Sequence, residues 1–561
     1  MNKPTVDLVA HESSLFVTPP VLELQDNLKF WHVEMKVKEK EVPDGKGGVQ
    51  IVKIRNGFAG QYQRLYSLTD DGIRMVTHEG LFHRVTGLLS EFGYAYTYRR
   101  SRQLPHFDFG PHVVAPMWSD TDQAFRDMRP EQVQAVIKML ATSGCAQRGR
   151  GPAKPGSGGA LALMTMATGK TYTIAALIRA FPDQNIIVTT YKSAVVQRLY
   201  DGLNEALRHD GIKVGIVTGN HKDFQRVTVC TDKSLMNFSA DDTTVLIFDE
   251  VHRAAADETS RTLLEFKNAV KFGFTGTLKD LGKKMLVEAV FGPVAYEFDD
   301  AQAEELNRVS KVKVYAVDVP EGPALQDKSE PMQEKYGIWR NRQRNAVIAD
   351  IASRVPEHMQ SIIYVRTIEH IDILVKGVKH KNDPNKDIPP ILPPGYEIYH
   401  AQLPEKEKRR VEAGIYDGSI KRLVSNSAFS EGVDTTKLRV LVNADWTASD
   451  QTVSQRGGRN RRLDADKNIG IIIDLRDNWM EKVRREQVKR LEDDGHEANA
   501  MELKEDRLFG KAQTRLARYR RRGWPIVKVA SPPEIDFSEI EAEAVAQQQE
   551  LFPCPAEGVV P

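Results

Sequence analysis

Between residues 125 and 476 the chain repeats one pattern: a short apolar run, a polar turn, then a stretch with helical spacing. The runs Leu161 to Met164, Ile186 to Val188, Val245 to Phe248 and Phe272 to Phe274 form a first series. A second begins near 311 and includes Ile362 to Val365, Leu423-Val424, Val440 to Val442 and Ile469 to Ile473. Short apolar runs alternating with helices read as strands buried on both faces of a parallel sheet. Two α/β units in tandem are therefore expected, over residues 121–310 and 311–476.

The flanks differ in texture. Val33, Met35 and Val37 alternate with Glu34, Lys36 and Lys38, and a Gly-rich turn from Asp44 to Gly48 leads into a second apolar run, which predicts a hairpin. Leu81, Val85, Leu88, Leu89 and Phe92 fall at helical spacing, Gly93 is placed to end the helix, and Tyr94, Tyr96 and Tyr98 then alternate. Residues 1–120 read as a small α+β domain. Residues 477–530 are charged and helical, a basic extension, and 531–561 read as an acidic, disordered tail. That tail holds seven carboxylates and no Lys or Arg, so the whole-chain charge of +1 conceals a body of +8. A mildly basic body is compatible with a phosphate-bearing partner. No run of about 20 apolar residues suggests a membrane span, and no signal-peptide pattern opens the chain, so a soluble, cytoplasmic protein is expected. Cys145, Cys230 and Cys554 lie too far apart for a disulfide framework or a zinc site.

Two strand ends carry candidate chemistry. After the first apolar strand come Thr165-Met166-Ala167-Thr168-Gly169-Lys170-Thr171, opening a helix with Ile174, Leu177 and Ile178. Backbone N–H groups and the helix N-terminus there would cradle phosphates, with Lys170 reaching the outer phosphates and the Thr171 hydroxyl binding Mg²⁺. Met164 and Ala167 stand where the strict motif prefers small residues or glycine. About 80 residues on, the run Val245 to Phe248 delivers Asp249-Glu250-Val251-His252 at a strand's carboxyl end, where parallel sheets collect ligands. Asp249 is placed to hold Mg²⁺ through water, and Glu250 to orient and deprotonate an attacking water.

This pairing resembles the superfamily 2 helicases of the DExH-box type, and further motifs follow in order. Gln455-Arg456-Gly457-Gly458-Arg459-Asn460-Arg461-Arg462 matches the pattern Q-R-x-G-R-x-x-R. By that resemblance Arg459 and Arg462 are arginine fingers that stabilise a departing phosphoryl group, and Gln455 contacts the nucleotide or the network around it. Arg129 and Gln132, just upstream of the phosphate loop, are similar to the family's adenine-reading segment. Phe274-Thr275-Gly276-Thr277 resembles the motif coupling hydrolysis to lobe movement. Gly432 and Asp434 lie in a segment resembling the one between the polymer track and the ATP cleft. The resemblance spans about residues 125 to 476 and sits nearest XPB-type, UvsW-type and restriction-enzyme motor helicases. It implies two RecA-like lobes, ATP and Mg²⁺ as cofactors, and DNA as partner, with RNA not excluded.

The same resemblance makes Thr190, Lys192, Thr231 and Ser234 backbone-gripping residues of the first lobe, and Arg366 and Ser425 their counterparts in the second. Capping of the following helices is an alternative use for the first-lobe residues. Arg99, Arg100 and Arg102 beside Tyr96 and Tyr98 are candidates for contacting a duplex or a fork; a solvated strand edge is the alternative. Lys511, Arg515, Arg518, Arg520, Arg521 and Arg522 form the densest basic cluster, readable as phosphate contacts or as a solvated helix face. In the tail, Gln548, Leu551 and Phe552 resemble the short peptide by which bacterial proteins dock on the sliding clamp. An ATP-driven DNA helicase or translocase acting in replication, recombination or repair is the expected activity. The alternatives are a motor subunit of a restriction or defence complex, and a binding scaffold with a decayed phosphate loop.

Overall fold

The computed structural model describes residues 3–43, 49–120, 122–151, 154–191, 193–219, 221–254, 257–276, 278, 281–320, 329–377, 388–426, 429, 437–447, 456–458, 460–461, 469–477 and 507–538, with the backbone alone for 31–62, 194, 257, 281, 330 and 507–509. The chain divides into two compact units: residues 1–164 with 169–298, and residues 165–168 with 299–561.

The first unit is built on an eight-stranded sheet in the order Lys222–Asp223, Val214–Val217, Val227–Thr231, Ile186–Thr190, Val245–Asp249, Val270–Thr275, Gly159–Met164, Val294–Phe298. Every pairing in it is parallel except that of the two-residue edge strand. Alternation explains the continuous apolar runs. Ala160, Ala162 and Met164 enter one core, while Leu161 and Leu163 enter the core on the opposite face. The strand is buried on both sides, so no position in it tolerates a charge.

The amino-terminal block of this unit has a five-stranded sheet, in the order Tyr66–Leu68, Met75–His78, Ser14–Thr18, Val6–His11, Tyr96–Arg100. The expected helix runs from Phe82 to Glu91, and Gly93 takes φ +72° just past its end. The expected hairpin pairs Lys29–Pro43 with Val49–Arg64. Met285 and Ala289, from the helix Leu281–Phe291, complete the core of this block, so the α+β domain is packed into the first unit.

The second unit holds a seven-stranded parallel sheet in the order Glu397–Tyr399, Arg422–Ser425, Gln360–Tyr364, Leu438–Asn443, Ile469–Asp477, Lys311–Val319, Ile526–Val529. Ile363 faces one core and Ile362 the other. Together the two units have the expected α/β architecture of tandem parallel sheets.

Three expectations change. The units divide at 298/299 rather than at 310/311, because Asp300 is paired with Arg461 and Arg522. The carboxyl-terminal extension is integral to the second unit: after the helix Arg507–Arg521 the strand Ile526–Val529 joins the sheet beside Lys311–Val319. Packing also continues past 531. Ile535 is buried, Phe537 packs against the same core, and the Tyr315 hydroxyl donates to the Asp536 carbonyl at 3.2 Å. The remainder of the tail, with Gln548, Leu551 and Phe552, lies outside the described residues.

Candidate active site

Strand order brings the two motifs together. Gly159–Met164 pairs with Val270–Thr275, which pairs in turn with Val245–Asp249. The registers place Leu163 beside Thr275 and Asp249 beside Phe274, so all three strands end at one edge. Ligands gather at such carboxyl-terminal edges because the connecting loops and helix N-termini converge there.

The phosphate loop makes two left-handed turns, at Ala167 with φ +65° and Gly169 with φ +80°. Gly169 then caps the helix Lys170–Ala180. Glycine suits such a φ, whereas alanine there carries Cβ strain of roughly 1–2 kcal/mol. The departure at position 167 thus has a physical consequence. Thr168 is fully buried and its hydroxyl donates to the Thr165 carbonyl at 2.7 Å. Thr171 is half-buried in the first turn of the helix.

Gln132 is held on both sides of its amide: Oε1 accepts the Arg129 N–H at 2.9 Å, and Nε2 donates to the Gly169 carbonyl at 3.3 Å. Arg129 is the cap of the helix Pro130–Ser143. The expected adenine reader is therefore also a strut between that helix and the phosphate loop.

Lys170 Nζ lies 3.6 Å from Glu250 Oε1 and, though buried, has no hydrogen-bond partner. Burial opposes its charge, but Glu250 and Asp249 outweigh that and hold the ammonium above its ordinary range. Burial also works against Glu250, yet Lys170 and His252 bring it down to about 2. Asp249 goes the other way, pushed up to about 6 by burial and by the neighbouring Glu250 charge. Burial and mutual repulsion thus push the two carboxylates apart, Glu250 towards the ionised form and Asp249 towards the protonated one. Glu250 adopts φ +60° and His252 Nδ1 is 3.3 Å from Glu250 Oε2 and 2.9 Å from Thr275 Oγ1. The acidic box is wired to the expected coupling motif through one imidazole; Thr277 of that motif lies outside the described residues.

These residues fit a nucleotide and its metal. A buried ammonium whose carboxylate partner stands 3.6 Å away, beside a helix N-terminus and a glycine turn, suits an anion, and the Thr171 hydroxyl and Asp249 carboxylate are hard oxygen donors of the kind Mg²⁺ takes.

In the second unit, the arginine-rich segment is described at 456–458 and 460–461; Gln455, Arg459 and Arg462 lie outside the described residues, as do Gly432 and Asp434. Two arginines not singled out from sequence anchor it. Arg456 donates to Asn443 Oδ1 at 2.8 Å and Asp445 Oδ2 at 2.7 Å. Arg461 pairs with Asp300 and with Glu304, the latter at 2.9 Å. The partners of Arg461 sit about 160 residues away and those of Arg456 on the preceding strand and loop, and no spacing rule ties either pair together.

Residues 125–280 match the family model described as "Type III restriction enzyme, res subunit", and residues 343–464 match "Helicase conserved C-terminal domain". Both matched segments are domains of superfamily 2 helicase type. Among curated relatives of this superfamily, a Dictyostelium discoideum protein named "Probable ATP-dependent RNA helicase ddx6" is 24% identical over 142 residues, which are 25% of this chain and 30% of that protein. The chain spans less than a third of the length of the curated relatives it is compared with first. Among solved helicase-type structures, T4 UvsW is 15% identical, covering 94% of this chain and 99% of that one, with a TM-score of 0.38. The structure titled "ATP-dependent Type ISP restriction-modification enzyme LlaBIII bound to DNA" is 14% identical, covering 83% and 35%, with a TM-score of 0.48.

The residues expected to form a polymer track are placed unevenly. Thr231 and Ser234 line an open cavity of about 580 Å³ together with Tyr191, Thr218, Lys222 and Lys233. Their hydroxyls bond each other at 2.8 Å. Thr190 is fully buried, and its hydroxyl has no hydrogen-bond partner. Ser425 is also fully buried, its hydroxyl donating to the carbonyls of Tyr399 and Asn426. Both hydroxyls therefore lie away from the surface; Lys192 is outside the described residues. Arg366 is exposed, with its guanidinium 5.1 Å from the Trp446 ring centre.

The basic clusters separate into structural and exposed members. Arg100 and Arg102 pair with buried Glu79 at 2.9 and 2.6 Å, leaving Arg99 as the exposed member. Arg515 and Arg522 are buried and ion-paired, Arg518 is half-buried, and Arg520 and Arg521 are exposed. A buried guanidinium already paired with a carboxylate is poorly placed to meet a phosphate, so Arg515 and Arg522 read as structural, while the half-buried Arg100 and Arg102 share the one carboxylate of Glu79.

Proposed function

We propose that this chain is an ATP-driven DNA helicase or translocase. The observation that carries the reading is the apposition of Lys170 and Glu250 at the carboxyl-terminal edge of one parallel sheet, 3.6 Å apart. Lys170 takes the charge of the outer phosphates, Glu250 orients and deprotonates the attacking water, and Thr171 and Asp249 hold Mg²⁺. The metal, when bound, neutralises charge on the phosphates. Arg459 and Arg462 stabilise the leaving phosphoryl group, with Gln455 beside them and Gly432 and Asp434 in the segment linking nucleotide to polymer. Arg129 and Gln132 contribute the base-side wall.

Thr231, Ser234, Lys222 and Lys233 around the 580 Å³ cavity supply hydroxyl and ammonium donors for a phosphodiester backbone, without reading sequence. DNA is preferred to RNA because the model matched over the first lobe describes a restriction-enzyme subunit; the curated relatives named as RNA helicases support the second reading, an RNA motor. Roles in replication, recombination or repair, a cytoplasmic location, and docking of Gln548, Leu551 and Phe552 on a sliding clamp belong to the same proposal and rest on sequence motifs. ATP turnover measured without polymer and with single-stranded, forked and duplex DNA and RNA tests it. Stimulation at least tenfold by DNA is expected; stimulation by RNA alone favours the RNA motor, and none by any polymer sinks the motor reading. For the clamp, undiminished capture of the Leu551→Ala, Phe552→Ala double variant ends that part.

A further inference from the structure

Asp300 opens the helix Asp300–Glu305, whose cap belongs to its neighbour: Asp299 accepts the Gln302 N–H at 2.9 Å, and Gln302 returns the contact to the Asp299 N–H at 3.1 Å. The Asp300 carboxylate is thereby free to serve three other segments. Oδ1 accepts from the Thr165 hydroxyl and from Arg461 Nη1, and Oδ2 accepts from Arg522 Nη1 at 2.8 Å. Arg461 also donates through Nη2 to Glu304 Oε1 at 2.9 Å and to the Asp300 carbonyl at 3.1 Å. Both guanidiniums stand 5.7 Å from the Trp524 ring centre.

The cluster is nearly closed to water: the side chains of Arg461, Arg522 and Asp300 are 2%, 4% and 12% exposed. Buried ion pairs are seldom the cheapest way to stabilise a core, since apolar residues of equal volume usually do as well; what they supply is a defined geometry. The geometry here joins two parts of the ATP machinery. Thr165 belongs to the phosphate loop, and Arg461 lies between Arg459 and Arg462 in the arginine-rich segment. A second contact runs beside the first. A Cβ on Gly458 would stand 2.4 Å from Met166 Sδ, so the loop's methionine fills the space that glycine leaves open. Two residues of the phosphate loop, Thr165 through Asp300 and Met166 directly, are thus held against the arginine-bearing segment.

We propose that Asp300 is a positioning residue for ATP hydrolysis, tying Thr165, the first residue of the phosphate loop, to Arg461 so that one carboxylate holds the two in a single arrangement. The proposal rests on the ATPase reading above and adds to it a residue outside every recognised motif. Asp300 touches neither water nor phosphate in the reaction; it acts through Thr165 and Arg461.

The test uses the full-length protein and three variants. Asp300→Asn removes the charge shared by two guanidiniums. Thr165→Val removes only the hydroxyl and leaves both ion pairs, and Thr165→Ser restores it. Expected are a tenfold or greater fall in kcat for Asp300→Asn and a three- to fivefold fall for Thr165→Val, with recovery in Thr165→Ser. A purely structural role predicts losses that follow the folded fraction and no recovery by serine, and that pattern overturns the proposal. Amide hydrogen exchange without nucleotide decides the tie independently of turnover. Asp300→Asn should raise exchange in peptides covering 165–168 and 456–461 while leaving 469–477 unchanged, and unchanged exchange in both peptides overturns it. A wild-type protein that turns over no ATP with any polymer sinks the motor reading and leaves the exchange result to decide the tie.

Discussion

Arg515 Nη2 lies 2.8 Å from Asp474 Oδ1, with both side chains at most 1% exposed. Asp474 also accepts from the Tyr519 hydroxyl at 2.8 Å and from Asn443 Nδ2 at 2.9 Å, and Asn443 accepts from Arg456. The helix Arg507–Arg521, basic by composition, is therefore a brace that reaches the arginine-rich segment through three buried side chains. Arg515→Ala leaves Asp474 short of its cation, and a loss of about 3–5 kcal/mol in folding free energy is expected. Arg521→Ala, at an exposed position of the same helix, should change stability by less than about 0.5 kcal/mol. Urea unfolding of the two variants checks the contrast; equal effects would show that the brace is not structural.

The Lys170–Glu250 pair separates binding from chemistry. Lys170→Ala removes the cation that meets the phosphates, and nucleotide affinity should fall at least tenfold. Glu250→Gln keeps the shape and loses the base, so ATP binding should persist while turnover falls by about 10²-fold or more. Fluorescent-nucleotide titration beside single-turnover hydrolysis distinguishes the two. Loss of binding in Glu250→Gln would contradict the assignment.

Ala167 and Gly169 make opposite predictions from the same dihedral argument. Ala167→Gly removes left-handed strain at φ +65°, offset by the extra chain entropy of glycine, for a net gain of up to about 1 kcal/mol. Gly169→Ala adds strain at φ +80° and puts a Cβ 2.3 Å from Gln132 Nε2, so both stability and nucleotide affinity should drop. Differential scanning fluorimetry with and without ADP reads both. An Ala167→Gly protein that melts well below wild type would show that the alanine is not strained.

Lys271 is 3% exposed in the strand Val270–Thr275, and burial, with Arg102 nearby, lowers it to about 7, while Glu79 acts the other way. Its unfolded-state value is the ordinary 10.5. Between these limits the unfolded chain binds the extra proton, so this residue's contribution to stability grows as pH rises from 7 to 10.5, is lost as pH falls from 10.5 to 7, and does not change further below 7. Lys271→Met should therefore melt above wild type at pH ~6, with the gap closing by pH ~9.5. Thermal scans at the two pH values check it; a gap that widens with pH has the wrong sign.

The periodic core was readable in advance. Leu161 to Met164 and Ile362 to Val365 announce strands buried on both faces, because only a two-sided parallel sheet makes a continuous apolar run favourable, and such strands end in loops that carry chemistry. That reasoning reached Lys170, Thr171, Asp249 and Glu250 from local sequence. The strand Ile526–Val529 was missed, since a short segment in a charged region has no periodicity to distinguish it; its place in the sheet comes from pairing with Lys311–Val319, far away in sequence. Arg515 read as a phosphate contact and Thr190 as a backbone grip because a residue's type states what it can bond, while burial decides what it does bond.

Sequence by itself determined the alternation of strands and helices, the two motifs at strand ends, and the residue types able to hold ATP and Mg²⁺, all of which are properties of neighbours along the chain. Only the tertiary structure decided which charges are spent inside the fold. Arg100, Arg456, Arg461, Arg515 and Arg522 find carboxylate or amide partners tens to hundreds of residues away, apart from the shorter reach of Arg456 to Asn443 and Asp445. The energy of an ion pair depends on distance and on exclusion of water, and neither is encoded in the spacing of residues along a chain.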